Sequence, residues 1–409
     1  MLNRSERTKA EIIGMCCKGR IKAKDAAQRL QLSVRQVENL KKKHREGISL
    51  LHGNCGRNSA KALSAETKQQ ILEAYGEVRG LGAVNFTHFH EIVQGRGIAV
   101  SYTAMRNVLV GAGNASPKKH RKKKGVHPAR ERRQKFGELL QTDATPFDWF
   151  GTGETFALHG FIDDARGVVT GLHMSKNECV DGYHEAFRQT LTDYGTPEGI
   201  YADGLSIFFS QKKNEELTLE EELNGTFERK TQFGEICNEL GIKLIHARSS
   251  QAKGRVERLW ETLQSRLPIE FASRGIKTVE AANTFLKDEY RAIFNNRFGV
   301  NETATSCFVP LPKNVLLNRL LAYKITRKLD CGGCFSLHKV RFQVEGNLSN
   351  CKVTILISNR LGVVAEHNDI LRNVKPMTFQ NENIASTDSV DAILSRFVFR
   401  YCLKNEHIA

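Results

Sequence analysis

The chain has 409 residues, 40% of them hydrophobic, which is enough for roughly two to four domains with buried cores. Its 61 Lys and Arg residues outnumber 45 Asp and Glu residues, and the net charge of +16 favours a polyanionic partner. There is no apolar run of about 18 residues and no signal-peptide pattern, so we expect neither a membrane span nor secretion. Ten scattered cysteines are typical of reduced thiols, which favours a cytoplasmic location.

The positive charge is concentrated in two blocks. Residues 1–60 carry 14 basic and 5 acidic side chains, and residues 118–135 carry 10 basic side chains with Glu131 as the single acid. Each block therefore has a net charge of +9, which leaves the rest of the chain near neutral at −2. Because each phosphate neutralised by Lys or Arg releases counterions, the two blocks favour double-stranded DNA as the partner.

Residues 1–50 are predicted to form a helix-turn-helix DNA-binding domain. Ala26 and Ala27 give one helix a small face for close packing, and Ser33 is a favourable N-cap for the next. Three apolar side chains of that second helix are expected to face inward: Val34, Val37 and Leu40. The predicted DNA contacts are the cap and the outward residues: Ser33, Arg35, Gln36, Asn39, Lys42 and Lys43. A helical hairpin with a solvated face is the alternative interpretation.

A second helical domain, also resembling a helix-turn-helix and also expected to bind DNA, is predicted for residues 60–115. Its helices should follow three N-cap residues: Ser64, Asn85 and Ser101. His88 and His90 allow a zinc site as an alternative, but no Cys-x-x-Cys pair follows at finger spacing.

Residues 116–136 are predicted to be a basic linker that is too charged for a core. Its position between the helical domains and the following domain favours a role in tracking phosphates, with Lys122 and Lys123 as candidate DNA-binding residues. A merely solvated linker is the alternative.

Residues 137–300 change to an α/β pattern. Three strand-like runs are followed by alternating helices and strands, which predicts a mixed sheet flanked by helices. The expected strands are 138–144, 155–164, 167–175, 199–204 and 242–247, and the expected helices are 178–195, 233–240, 252–266 and 278–295. A polar insertion is expected at 211–232.

Residues 310–375 are predicted to form a small all-β domain, a barrel or a sandwich, followed by a tail over 376–409. The expected strands are 322–330, 335–345, 351–358 and 361–367. Cys331 and Cys334, with His338 nearby, allow half a zinc site, but a Gly-Gly turn flanked by cysteines is the preferred interpretation.

Three acidic residues of the α/β region are the candidate catalytic residues. Asp143 lies in a strand among apolar neighbours, where an ionised carboxylate is costly unless it is paired. Asp203 closes a strand before Gly204, and Glu257 lies on a helix in the run QAKGRVERLW. Together the three carboxylates could bind hard divalent cations. Other acids are weaker candidates, because the pattern around them favours turns: Asp148, Asp163 and Asp164.

The order of strand Asp143, strand-end Asp203-Gly204 and helical Glu257 in this context resembles the integrase-core transposases of bacterial insertion sequences. The QTDATPFDWF run at Asp143 and the helix-turn-helix before it are similar to the ISNCY-type members, and the resemblance covers residues 5–375. It implies a ribonuclease H-like core in which Asp143 and Asp203 share one Mg²⁺ ion, with Asp143 and Glu257 holding a second and Mn²⁺ as a possible substitute. Lys253 and Arg258 would contact phosphates.

Two features depart from that family. The step from Asp203 to Glu257 is longer than is typical, which we attribute to the polar insertion, and the zinc module of retroviral integrases is absent from the sequence pattern. The resemblance implies cleavage and strand transfer of an element whose terminal repeats the helical domains recognise. It also implies a dimer or tetramer on DNA, and a nucleoid-associated location. A repressor or decayed transposase that only binds DNA, or a nuclease that cuts without joining, are the alternatives.

Overall fold

A computed structural model describes residues 4–50, 62–117, 131–209, 231–247, 254–300, 302–312, 316–337, 340–358 and 360–377. The chain divides into two compact units, residues 1–69 and 70–409. No helix in the described ranges is long and apolar enough to cross a membrane. Several positions singled out in the sequence lie outside those ranges: Lys122, Lys123, Lys253, His338 and residues 211–230 of the polar insertion.

The first unit contains three helices around a small apolar cluster. They are α1 (Arg4–Cys17), α2 (Ala23–Leu30) and α3 (Val34–Arg45). Ile13, Ala26 and Val37 are fully buried where the helices meet, which confirms the close-packing face expected on α2. Gln31 takes the left-handed conformation at the end of α2, with φ of 54°, and starts the short turn into α3.

The N-terminus of α3 confirms one prediction and contradicts another. Ser33 caps the helix, and the side chain of Gln36 completes a capping box by accepting the Ser33 backbone N–H at 2.9 Å. Val34, expected to face inward, is 46% exposed, so that prediction is wrong. Helical side chains tilt toward the N-terminus, and at the first position of a helix this direction leads past the helix end into solvent.

Three helices follow: α4 (Ala65–Leu81), α5 (Phe86–Gly95) and α6 (Tyr102–Gly111). The predicted caps are confirmed, because the side chains of Ser64, Asn85 and Ser101 each accept a backbone N–H from the first turn of their helix. The helix after Ser64 continues to Leu81, with buried Tyr75 packed edge-on against aromatic rings of α5.

The α/β region has the predicted order of elements. They are β1 (Leu140–Phe147), β2 (Phe156–Asp163), β3 (Val169–Ser175), α7 (Val180–Asp193), β4 (Gly199–Ala202), α8 (Gln232–Glu239), β5 (Lys243–His246), α9 (Gly254–Arg274), α10 (Val279–Phe285), a π-helical turn (Leu286–Tyr290) and α11 (Arg291–Phe298). The sheet order is β3-β2-β1-β4-β5, with antiparallel pairing among β1, β2 and β3 and parallel pairing of β4 with β1 and β5. The predicted mixed sheet with helices is confirmed.

Helices cover both faces of this sheet. On one face α7 and α8 enclose a core that includes Phe161 and Phe187, and α7 lies so close to β3 that a Cβ on Gly171 would be 2.0 Å from the Ala186 carbonyl oxygen. On the other face α9, α10 and α11 enclose a core that includes Leu172 and Trp260. Strands β2, β3 and β4 are therefore largely buried on both sides, whereas the edge strand β5 is mostly exposed.

Helix α9 is longer than the predicted 252–266. It continues through Pro268 to Arg274, although proline removes a backbone donor inside a helix. Leu267, Ile269 and Phe271 on either side of the proline are buried. Their burial stabilises the continued helix by more than the missing hydrogen bond costs, because each large side chain contributes about 1.5–3 kcal/mol.

The C-terminal region forms one six-stranded antiparallel sheet. Its elements are α12 (Leu317–Leu320), β6 (Tyr323–Lys328), β7 (Cys334–Leu337), β8 (Val340–Val344), β9 (Lys352–Ser358), β10 (Gly362–His367) and β11 (Ile370–Met377), and the strand order is β6-β9-β10-β11-β8-β7. The single strand expected at 335–345 is two antiparallel strands, and β11 was not predicted. The Cys331–Cys334 turn is confirmed: Asp330 accepts the backbone N–H groups of Gly332 and Cys334, both at 2.9 Å.

Candidate active site

Asp143 lies on β1, and Asp203 follows the end of β4, the parallel neighbour of β1. In the register of β1 with β4, Leu140 pairs with Ile200 and Gln141 with Tyr201. Two residues further along each chain come Asp143 and Asp203, the second just past the end of β4. Since residues two apart on a strand share a face, Asp143 lies on the face of the sheet to which Gln141 points.

The charges of both carboxylates affect the pKa of Tyr183 on α7. Its side chain is fully buried, and its hydroxyl donates to Glu178 Oε1 at 2.6 Å. Burial raises the pKa of Tyr183 well above its ordinary value, and the negative charges of Glu178, Asp143 and Asp203 raise it further. Three acidic side chains thus act on one phenol. Glu178 was not predicted, since it precedes a helix and resembles any acidic residue of a first turn.

Helix α9 crosses β1 and contacts the strand on both sides of Asp143. The indole Nε1 of Trp260 donates to Asp143 Oδ2 at 3.3 Å. Two residues further along β1, Thr145 Oγ1 accepts a hydrogen bond from Gln264 Nε2 at 3.0 Å. Two residues before Asp143, the fully buried Gln141 makes the contacts that fix the start of the helix.

Gln141 joins three elements through its amide. Its Oε1 accepts the backbone N–H groups of Arg255 and Val256 at 3.1 and 3.2 Å, which satisfies two donors at the N-terminus of α9. Its Nε2 donates to Asp164 Oδ1 at 3.0 Å, and the Arg255 side chain lies 3.5 Å from the same oxygen. Asp164 is fully buried in the turn after β2, which confirms the predicted turn. Through Gln141 and Arg255 the same carboxylate also anchors the start of α9.

Asp163 and Asp148 make turn contacts. Asp163 accepts the backbone N–H groups of Gly137 and Arg166, and burial raises its pKa to about 6. Asp148 accepts backbone N–H groups in the loop after β1. Both carboxylates therefore bond to backbone donors, as expected of acids in turns.

Glu257 lies in the first turn of α9, exposed to solvent, one residue after the Val256 that bonds to Gln141. Arg258 beside it is also exposed. Within the described ranges, no group of three His, Cys, Asp or Glu side chains could hold a metal ion together. Asp143 and Asp203 are thus both near enough to Tyr183 to raise its pKa, whereas among the described residues Glu257 does not form a group of three with them.

The DNA-binding residues predicted on α3 belong to the first unit. Ser33 and Gln36 bond to each other in the capping box, so their polar groups already have partners. The other four are exposed side chains of α3: Arg35, Asn39, Lys42 and Lys43. The last turn of α3 carries basic side chains, which its partly negative C-terminal end stabilises.

His88 and His90 each bond within the protein. His88 is buried and its Nε2 lies 2.8 Å from Glu270 Oε1 on α9. His90 Nε2 lies 2.7 Å from the Val100 carbonyl oxygen. The first contact holds α5 against α9, and the second joins α5 to the segment before α6. Neither histidine contact favours the zinc alternative.

Comparison with known proteins identifies the family. The chain is 35% identical over 373 residues to the transposase for insertion sequence IS1202 of Streptococcus pneumoniae, covering 83% of this chain and 77% of that protein. The chain belongs to the transposases of insertion sequences. The y4bF protein of Sinorhizobium fredii (strain NBRC 101917 / NGR234), also assigned as a transposase, is 30% identical over 347 residues and covers 82% of this transposase and 72% of its own length.

Solved structures give weaker similarities, and no protein-family model matches this transposase. The trimeric HTLV-2 integrase catalytic core domain in complex with magnesium is 20% identical, with a TM-score of 0.29, and covers 43% of this chain and 96% of its own. A simian T-cell lymphotropic virus intasome in complex with the PP2A regulatory subunit B56 gamma is 16% identical, with a TM-score of 0.30, and covers 68% and 89%. Both superpositions are too weak to support a conclusion about this transposase.

Proposed function

We propose that this transposase cleaves the ends of its insertion sequence and joins them to target DNA in a Mg²⁺-dependent reaction, with Asp143, Asp203 and Glu257 as the metal-binding residues. The single observation that carries this proposal is the parallel pairing of β1 with β4, which matches Gln141 with Tyr201 two residues before Asp143 and Asp203. Ligands in open α/β sheets bind beyond the carboxyl ends of the strands, and Asp203 directly follows that end of β4.

The side chains present suit a hard divalent cation. Carboxylate oxygens are the ligands that Mg²⁺ prefers, and a bound cation would reduce the repulsion between two such negative side chains. Glu257, which is exposed in the first turn of α9, is the carboxylate proposed to complete the set. When bound, two Mg²⁺ ions would supply Lewis-acid activation of the attacking oxygen and charge neutralisation at the leaving oxygen, and Mn²⁺ could replace them.

The remaining residues of the site would orient these carboxylates and the DNA. Gln141 fixes the start of α9 through two backbone N–H groups, so Glu257 follows directly from an anchored residue. Arg258, exposed next to Glu257, could bind a phosphate of the DNA, and Lys253 is proposed for the same role from the family resemblance. No side-chain nucleophile is required, because positioning and charge neutralisation lower the barrier in phosphoryl transfer.

We propose that α3 reads the terminal repeats of the element. Its exposed face presents Arg35 and Asn39, which suit guanine and adenine edges in a major groove, and Lys42 and Lys43, which suit phosphates. The same proposal assigns the α4–α6 region and the basic linker to further DNA contact. Because transposition joins two element ends, the active form is proposed to be a dimer or tetramer on DNA, which light scattering of the complex would measure.

The decisive experiment measures joining of a labelled duplex that carries the terminal repeat to a target plasmid in Mg²⁺. Asp143→Asn should reduce joining by at least a thousandfold, because it removes a negative metal ligand, while binding of the repeat in a gel-shift assay should remain. Asp148→Asn is the matched control, since Asp148 only accepts backbone N–H groups in a loop, and it should keep joining within about threefold.

The same assay separates the alternatives. A repressor or decayed transposase would bind the repeat without cutting it, and a nuclease would cut without producing joined product. Full joining activity in Asp143→Asn with normal binding of the repeat would show that the carboxylate assignment is wrong.

A further inference from the structure

The contact between Trp260 and Asp143 joins α9 directly to a proposed metal-binding residue. The indole is only 6% exposed, and its N–H group can donate but not accept. A buried indole N–H needs an acceptor, and here the acceptor is Asp143 Oδ2 at 3.3 Å. A charged acceptor strengthens such a bond, so the contact constrains both side chains.

A glycine in the sheet leaves the space that this indole occupies. Gly160 of β2 lies directly opposite Asp143 in the antiparallel register. A Cβ at Gly160 would be 2.7 Å from Cη2 of Trp260 and 3.2 Å from a methyl carbon of Leu172. Any larger residue there would push the indole away from the strand, so the missing side chain of Gly160 sets the depth at which Trp260 lies.

The helix is also held in register on both sides of this contact. Gln141 bonds to the first turn of α9 and Thr145 bonds to Gln264, while Asp143 lies between them on the strand. Trp260 follows Glu257 by three residues, so the two side chains are neighbours on the helix surface. One hydrogen bond therefore links the strand carboxylate to the helix that carries the proposed third ligand.

We propose that Trp260 is a positioning residue of the active site: its indole N–H holds the Asp143 carboxylate in the orientation that binds metal. This inference rests on the proposed function of Asp143. A purely structural Trp260 would fill the core between α9 and the sheet, and its replacement would lower stability without changing metal affinity.

The test uses the full-length protein and Mn²⁺ alone as the probe, with binding measured by calorimetry without DNA. Trp260→Phe keeps an aromatic ring but removes the donor, and it should weaken Mn²⁺ binding about tenfold or more, the usual effect of losing a hydrogen bond to a charged group. Trp149→Phe is the matched control: Trp149 is the only other tryptophan, is fully buried, and donates to the Phe156 carbonyl oxygen instead. It should leave Mn²⁺ affinity unchanged.

A second measurement leaves Trp260 in place, in case Trp260→Phe fails to fold. With ¹⁵N-labelled tryptophan, the chain gives two indole N–H signals, and Trp149→Phe assigns them. Mg²⁺ should shift the Trp260 signal in the parent protein, and Asp143→Asn should move that signal and abolish its response to Mg²⁺.

The outcomes distinguish the inference from the proposed function. Unchanged Mn²⁺ affinity in Trp260→Phe, with binding lost in Asp143→Asn, would overturn the positioning role and leave the metal site standing. A Trp260 signal that ignores Mg²⁺ in the parent protein would overturn it as well. Unchanged Mn²⁺ binding in Asp143→Asn would overturn both, because no metal ligand would remain for Trp260 to position.

Discussion

His159 on β2 is a buried histidine whose contacts require the neutral ring. Its Nδ1 lies 3.2 Å from the His173 carbonyl oxygen, and its Nε2 accepts the Cys179 backbone N–H at 3.1 Å. A proton on Nε2 would face that N–H donor and break the bond. The pKa of His159 is lowered to about 3, mainly by burial and in addition by the charge of His173.

This depressed pKa predicts a loss of stability in acid. The unfolded chain binds a proton on this residue below about pH 6.5, whereas the folded chain resists it down to about pH 3, so stability present above pH 6.5 falls through that interval. His173 and His184, with pKa values lowered to about 4, act in the same direction. Asp163, with a pKa raised to about 6, opposes them, because the folded chain takes up its proton first.

His159→Gln should therefore reduce the pH dependence of unfolding. Between about pH 6 and pH 4 the slope of the unfolding free energy should decrease by about 1.4 kcal/mol per pH unit, the value for one proton. Urea unfolding followed by tryptophan fluorescence reports on the second unit, since Trp149 and Trp260 both lie there. His246→Gln, at an exposed position, should keep the parental slope. An unchanged slope in His159→Gln would assign the acid sensitivity to other groups.

At the scale of elements, the junction between α5 and α9 depends on a buried ion pair. Both terminal guanidinium nitrogens of Arg266 donate to the Glu91 carboxylate, and a guanidinium nitrogen of Arg297 lies 2.7 Å from the same carboxylate. The side chains of Arg266 and Glu91 are only 9% and 11% exposed. Arg266 also lies over the ring of Phe298, 4.9 Å from its centroid.

Glu91→Ala should destabilise the second unit by about 3 kcal/mol or more, because it leaves a buried guanidinium without its carboxylate. Glu77→Ala is the matched control in the same helical region, since it breaks the exposed pair of Glu77 with Arg96. That loss should cost less than about 1 kcal/mol. Chemical unfolding of both variants measures the difference, and equal costs would mean that the junction does not depend on this pair.

Local signals allowed most elements to be predicted from the sequence. Helix starts at Ser33, Asn85 and Ser101 follow from side chains that satisfy free N–H groups within four residues. The extension of α9 through Pro268 could not be predicted this way, because burial against distant parts of the chain stabilises it. The division of 335–345 into β7 and β8 was missed because no Gly, Pro, Asn or Asp marks it, although the apolar residues change phase there, from Phe335 and Leu337 to Val340, Phe342 and Val344.

The residues of the proposed site also differ in whether the sequence alone could identify them. Asp143, Asp203 and Glu257 stood out because their local patterns are unusual for acidic residues and match a family pattern. Gln141 and Trp260 gave no such signal, since their roles come from contacts between residues more than 20 positions apart. A polar residue in a strand and a tryptophan in a helix suit a core equally well, so only the tertiary contacts identify them.

At the scale of the whole molecule, the net charge of +16 is divided unequally between regions. Residues 1–60 hold a net charge of +9, and α3 places basic residues on an exposed surface. Charge of this kind should make DNA binding depend strongly on salt, because bound cations are released from each neutralised phosphate. The slope of log affinity against log salt then counts the phosphate contacts.

Lys42→Ala with Lys43→Ala should reduce that slope by about 2, the change expected when two phosphate contacts are lost, for terminal-repeat and unrelated duplexes alike. Lys41→Ala is the matched control: its ammonium lies 2.9 Å from Glu38 and its side chain is only 15% exposed, so it should leave the slope nearly unchanged. Fluorescence anisotropy at increasing NaCl concentrations gives both slopes. A parental slope in the double variant would show that the end of α3 does not contact the DNA backbone, whereas a change confined to the terminal repeat would indicate base contact instead.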